Sequence, residues 1–266
     1  MQFPKRVTIE LTNRCNRHCT ECPRHQMIYS QGHINPELYT KIIQQLPADT
    51  TIVPFYRGES LLYPDFPELI GQLNKFKHVQ LATNGDYLTR PNQQAILNNC
   101  TFLSISLHDY RLPSQTNHTK FLKQCRNNGI ETQVSILDVY LNGSRRTQFL
   151  KHWRRHVDRV RVYKTHSVNG FGSMQGTERP HGVPCSKPME EMVVYWDGKV
   201  GLCNHDWNNL CCVGDLNSQL ITEVWNSDIY EYIRKQHFNN NRCGVPSCVH
   251  CDFESNKIYG DLIYGE

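Results

Sequence analysis

Three cysteines in the run CNRHCTEC (Cys15, Cys19 and Cys22) directly follow a short apolar strand pattern, Arg6–Leu11. Thiolates spaced by three and two intervening residues can hold three corners of a cubic iron–sulfur cluster and leave the fourth iron open. Ordinary ferredoxin-type sites supply four protein ligands, because an open iron is reactive. A three-legged site therefore keeps a coordination position for something else, as catalytic metal sites do. A zinc knuckle or a set of incidental thiols is the alternative reading of so short a motif.

A second cysteine set lies far down the chain. Cys185 precedes the hairpin-like segment MVVYWDGKVGLC, Cys203 ends it, and Cys248 and Cys251 form a CxxC after a helical stretch. Four such thiolates suit zinc or an iron–sulfur cluster, and spacing alone leaves that choice open. Cys100 and Cys125 fall at predicted helix ends and read as buried, inert thiols. Cys211, Cys212 and Cys243 sit close in sequence to the second set.

The elements that must position these residues alternate over the first ~165 residues, in the strand–helix order that builds parallel sheets. Strand patterns fall at 6–11, 51–56, 79–83, 102–106, 132–137 and 159–163. Helices are expected to start near Pro36, Phe66, Pro91, Thr116 and Arg145, with Pro36 and Pro91 in first turns that tolerate proline. Six parallel strands suit a doubly wound sheet or a partial barrel, and either gathers ligands at the strand carboxyl ends, where the first cysteine set sits. A Gly-, Ser- and Pro-rich stretch from Thr165 to Pro188 reads as a bridge. Beyond it, Asp197–Gly198 marks a hairpin with an expected type I′ turn. Residues 222–237 read as one amphipathic helix with Trp225, Ile229, Tyr232 and Ile233 on its packed face. The expected division is 1–167 for the parallel unit, 168–186 for the bridge and 187–266 for a small cysteine-bearing domain with a tail.

Twelve cysteines without a secretion-signal core argue for metal ligation or redox work over a disulfide framework. Net charge is +4 with scattered basic residues; the densest cluster, Lys151–His156, reads as a solvated helix face and not a nucleic-acid groove. No apolar run approaches a membrane span. The expectation is a soluble, cytoplasmic protein with no nucleic-acid or membrane partner.

With both cysteine sets in place, the chain resembles the radical S-adenosylmethionine (SAM) enzymes of the SPASM/twitch subgroup, over nearly its whole length. The resemblance implies a partial (β/α)6 barrel with a small C-terminal twitch domain of hairpin plus helix. It also implies a SAM-binding 4Fe–4S cluster on Cys15, Cys19 and Cys22, and an auxiliary 4Fe–4S cluster on Cys185, Cys203, Cys248 and Cys251. RGES (Arg57, Gly58, Glu59) stands where such enzymes carry Gly-Gly-Glu: Gly58 lets the backbone approach and Glu59 accepts from the SAM amino group. Thr83 and Asn84 of TNG, and Ser106 at the end of strand four, match positions that meet the SAM ribose. Glu21 departs from the aromatic residue usual before the third cysteine, Arg57 from the first glycine, and Arg179 is the lone arginine close before Cys185.

Among members, the likeness is strongest to alcohol-oxidising enzymes that act on aminocyclitols. It implies a radical SAM dehydrogenase: an electron from flavodoxin or ferredoxin cleaves SAM to a 5′-deoxyadenosyl radical. That radical abstracts hydrogen from a small polar substrate, whose alcohol becomes a ketone. Candidate bases near the strand ends are His108, Lys164 and His166. The runner-up is an epimerase in which a cysteine thiol returns a hydrogen atom, with Cys243 the first candidate donor and Cys211 and Cys212 next. Peptide modification is a third option, weakened by the lack of an added recognition domain before strand one. A zinc- or cluster-bearing interaction module, the non-catalytic option, leaves the open three-cysteine site beside RGES and TNG unexplained.

Overall fold

The structure is a computed structural model that describes residues 3–164, 185–249, 251 and 259–265. His166, Arg179 and nearly all of the expected bridge lie outside the described residues. Parallel strands β1 (Arg6–Ile9), β2 (Thr51–Val53), β3 (His78–Thr83), β4 (Phe102–Leu107), β5 (Glu131–Leu137) and β6 (Arg159–Tyr163) are joined by helices. These are α1 (Pro36–Gln45), α2 (Phe66–Gly71), α3 (Arg90–Asn99), α4 (His118–Asn127) and α5 (Ser144–Trp153). The strands lie side by side in chain order from β1 to β6. A doubly wound sheet reverses direction at a switch point; this one does not, so it is a partial barrel.

Local chemistry explains the element ends. Asn35 caps α1 by accepting from the Glu37 and Leu38 N–H groups, with Pro36 opening the first turn. Thr89 caps α3 in the same way, ahead of Pro91. The second strand stops at Val53 rather than running to Tyr56, because Pro54 has no N–H for the ladder. Val7, Ile9, Leu81, Leu103, Ile105, Val134, Ile136, Val160 and Val162 are all 5 % exposed or less and pack as one core with the helices. Each full burial of such a side chain stabilises by about 1.5–3 kcal/mol.

Alternate positions on the other face are polar. Ser106 and Ser104 hydroxyls lie 3.1 and 3.4 Å from that of Ser135, and Gln133 donates to Ser104.

After the short helix α6 (Lys187–Glu190), the hairpin β7 (Glu191–Val194) and β8 (Lys199–Gly201) joins this sheet, not one of its own. β7 runs parallel to β1, with Thr8 opposite Val193, and β9 (Gly214–Asp215) follows β8. Its turn is not type I′. Gly198 alone has positive φ (+86°), while Tyr195 and Gly198 close an i to i+3 turn. That is a type I turn followed by a left-handed glycine, which preserves the Val194–Val200 register.

The expected single helix over 222–237 is two, α7 (Ile221–Trp225) and α8 (Asp228–Phe238), because Ser227 starts a new helix by capping Tyr230 N–H. The break rotates the stripe: Trp225, Tyr230 and Ile233 are buried, whereas Ile229 and Tyr232 are 44 % and 52 % exposed. Strand β10 (Tyr259–Tyr264) returns antiparallel to β6. Among the described residues no helix is long and apolar enough to cross a membrane.

Candidate functional site

The cysteine loop leaves β1 at its carboxyl end and is closed at its base by its own chain. Ile34 N–H donates to Leu11 O, Thr12 Oγ1 to Gly32 O, and Asn13 bonds both Ser30 O and Gly32 N. Cys15, Cys19 and Cys22 sit on this loop half-buried. Burial, and then the like charge of the neighbouring thiols, pushes Cys19 up; burial pushes Cys22 up. Three thiols carried on one short loop, Cys19 and Cys22 among them resisting ionisation without a cation, fit a cationic iron cluster. Among the described residues no three His, Cys, Asp or Glu side chains converge on a single metal ion. The donor set is all sulfur, as in ordinary 4Fe–4S sites.

Two further strand ends clamp the loop. Gly58 passes so close beneath it that a Cβ there would stand 2.2 Å from Thr12 O and 2.6 Å from Arg14 O, and Glu59 N–H donates to Arg14 O. The Glu59 carboxylate is 4 % exposed and accepts from Leu61 N, Thr83 Oγ1 and Asn84 N at 3.1, 2.7 and 2.8 Å. Burial raises its pKa, and these three bonds oppose the rise. Of about four acceptor positions on a carboxylate, one is left for a ligand. After β3, Asn84 Nδ2 donates to Asn16 Oδ1. Asp86 accepts from Asn16 and grips Arg17 with two bonds of 2.5 and 2.6 Å. The Arg17 guanidinium holds the Asp86 carboxyl below the usual carboxylate range.

Arg57 is committed elsewhere. Its side chain makes two 2.6 Å bonds to Glu10 and one to Trp207 O, under the rings of Tyr195, Tyr29 and Tyr56. The arginine in place of the first glycine thus ties β1 to the C-terminal part of the chain. Tyr29 and Tyr195 add bonds to Asn208 O and Asp206 O. Glu21, between the second and third cysteines, accepts from Tyr140, which follows β5.

His108, after β4, has Nδ1 3.3 Å from Cys19 Sγ, and burial lowers its pKa. Lys164 stands exposed just past β6. Ser106 belongs to the polar sheet face described above. Cys243 is exposed on a 3-10 turn, and Cys212 is exposed; Cys211 is buried and accepts from Ser247 N.

Cys185, Cys203, Cys248 and Cys251 line one small cavity with Lys187, His205 and His237. Burial pushes Cys203 and Cys248 up, and the charges of the other cysteines of this set add to the rise. Here too the sulfur donors fit a cluster. His237, 1 % exposed, holds Nε2 3.3 Å from Cys248 Sγ and is brought down to about 4 by burial. A separate groove lined by Lys120, Lys123, Arg126, Arg155 and His156 lies at the opposite, amino ends of β5 and β6 and contains no cysteine.

Sequence reading passed over Glu10, Asn16, Arg17, Asp86 and His237. Two of these carry a signal: Glu10 is a charge inside an apolar strand pattern, and Asp86 directly follows TNG.

A family profile described as the radical SAM superfamily matches residues 9–151, and one described as an iron–sulfur cluster-binding domain (SPASM) matches residues 185–252. The S-adenosyl-L-methionine-dependent 2-deoxy-scyllo-inosamine dehydrogenase of Niallia circulans is 23% identical over 258 residues, 92% of each chain. Among solved structures, BtrN in complex with AdoMet and 2-DOIA superposes with a TM-score of 0.70 at 20% identity, covering 98% of this chain and 99% of that one. Streptococcus suis SuiB bound to S-adenosylmethionine superposes with a TM-score of 0.69 at 13% identity, covering 94% and 72%.

Proposed function

Because the chain belongs to the radical SAM superfamily, we propose that it oxidises an alcohol of an aminocyclitol or a related amino sugar to the ketone. The observation that carries this reading is the second cysteine set, four thiols around one cavity beside a hairpin in the same sheet as the first. The end-to-end likeness to an aminocyclitol dehydrogenase supports the substrate class. When bound, the clusters and SAM supply one-electron chemistry: hydrogen-atom abstraction from carbon at the first site and an electron acceptor at the second.

The chain's own residues do the rest. Cys15, Cys19 and Cys22 hold the first cluster, and Cys185, Cys203, Cys248 and Cys251 the second. Glu59 offers its remaining acceptor position to the SAM ammonium, and Thr83 and Asn84 keep that carboxylate oriented. Ser104, Ser106, Gln133 and Ser135 present a hydroxyl- and amide-lined face suited to a polyhydroxylated ring. Lys164, at the open end of β6, is the base that takes the alcohol proton; His108 is engaged with Cys19. Flavodoxin or ferredoxin is the reductant.

Turnover in D₂O with aminocyclitols and amino sugars tests the reading by mass, alongside Cys243→Ala. The expected product is two hydrogens lighter than substrate, and Cys243→Ala leaves the yield unchanged. Product of unchanged mass carrying solvent deuterium on carbon, with activity lost in Cys243→Ala, would replace the dehydrogenase by an epimerase.

A further inference from the structure

We propose that His237, on α8, sets the reduction potential of the cluster held by Cys185, Cys203, Cys248 and Cys251, by donating its Nε2–H to the Cys248 sulfur. The inference rests on the assignment of a cluster to these four cysteines. His237 Nε2 lies 3.3 Å from Cys248 Sγ, and the ring forms part of the wall of the cavity that all four cysteines line. It is 1 % exposed, and its Nδ1 is buried without a hydrogen-bond partner among the described residues. No second contact therefore fixes the tautomer; the sulfur does.

A free thiol can donate its proton to the ring. A thiolate bound to iron has no proton left, so the ring becomes the donor and Nε2 must carry the hydrogen. A hydrogen bond to a ligand sulfur stabilises the extra negative charge of the reduced cluster, which raises its potential. At Cys203 the corresponding donor is the His205 backbone N–H, 3.4 Å away, which no side-chain substitution removes. At Cys248 the donor is a side chain and can be removed. His237 is thus a positioning residue that acts through Cys248.

The test is a redox titration followed by electron paramagnetic resonance, in full-length Cys15→Ala/Cys19→Ala/Cys22→Ala protein reconstituted anaerobically. Only the second cluster reports there. His237→Phe keeps the ring's bulk and loses the N–H. Reduction is expected to become about tenfold less favourable, a fall of about 59 mV for one electron. His237→Gln, which restores a donor, should recover most of the shift. Iron retained in His237→Phe with an unmoved potential overturns the proposal. A triple variant that binds no iron overturns the ligand assignment and the proposal with it. Should His237→Phe lose its iron, the unsubstituted ring decides: with ¹⁵N-labelled histidine, nitrogen coupling to the reduced cluster supports the donor role, and its absence overturns it.

Discussion

The two cysteine sites are built in opposite ways. The first takes all its sulfurs from one loop, Cys15 to Cys22, and leaves them half-buried. The second collects thiols from separate segments between Cys185 and Cys251 around one small cavity, with Cys203, Cys248 and Cys251 buried and Cys185 half-buried. The first loop borrows its rigidity from neighbouring strand ends: Gly58 and Glu59 beneath it, Asn84 and Asp86 beside it. The second borrows from packing, with His237 on α8 against Cys248. A site that must admit a cosubstrate is kept open and clamped from outside. One that has no ligand to admit can bury most of its sulfurs.

The largest expected effect is also the sharpest test of this division. Replacing Cys15, Cys19 and Cys22 together by Ala should abolish reductive cleavage of SAM and remove about half of the iron. The reciprocal change, Cys203→Ala, should spare 5′-deoxyadenosine formation under dithionite and stop substrate oxidation. Chromatographic product analysis and iron counts read both. Loss of all iron in Cys203→Ala would show that the first site does not assemble without the second.

Arg57 connects the two regions, so its removal should disturb both. Arg57→Ala leaves the Glu10 carboxylate buried without its ion pair, which costs about 3–5 kcal/mol. Thermal unfolding should show a large fall in Tm. A Tm near that of the unsubstituted protein would mean that Glu10 finds another partner.

Glu59→Ala acts on the open site alone. SAM affinity should fall by on the order of a few kcal/mol, because an ammonium loses its buried carboxylate acceptor while Thr83 and Asn84 lose theirs. Iron content should hold. Equilibrium dialysis that returned unchanged SAM affinity would move the ammonium contact to another residue.

The smallest effect belongs to the Asp86–Arg17 clamp, whose side chains are 34% and 21% exposed. Asp86→Asn should cost only about 0.2–1 kcal/mol in solvent-screened surroundings. The folded protein holds the Asp86 carboxyl below its ordinary value, so its stabilisation is present above the unfolded carboxylate range and is lost as pH falls through the lowered value. Comparing denaturation midpoints of the two proteins at neutral and strongly acid pH should show the difference closing on the acid side. A gap that persisted in acid would mean that the Asn side chain disturbs the loop by something other than lost charge.

Much of this architecture follows from local rules that a chain carries along its length. Val7, Ile9, Leu103, Ile105, Val134 and Ile136 recur with the period of a strand, and Asn35 and Thr89 cap helices using their own neighbours. Cys15, Cys19 and Cys22 are legible for the same reason, since all their spacing lies within one loop.

Other features were decided only when distant segments met. The hairpin's place on the edge of β1, the Glu10–Arg57–Trp207 tie, the Asp86 grip on Arg17 and the contact of His237 with Cys248 all join residues well apart in sequence. No periodicity records such pairings. Burial makes the Glu10 and Arg57 charges seek each other, and the pairing of β1 with β2 sets whether they can.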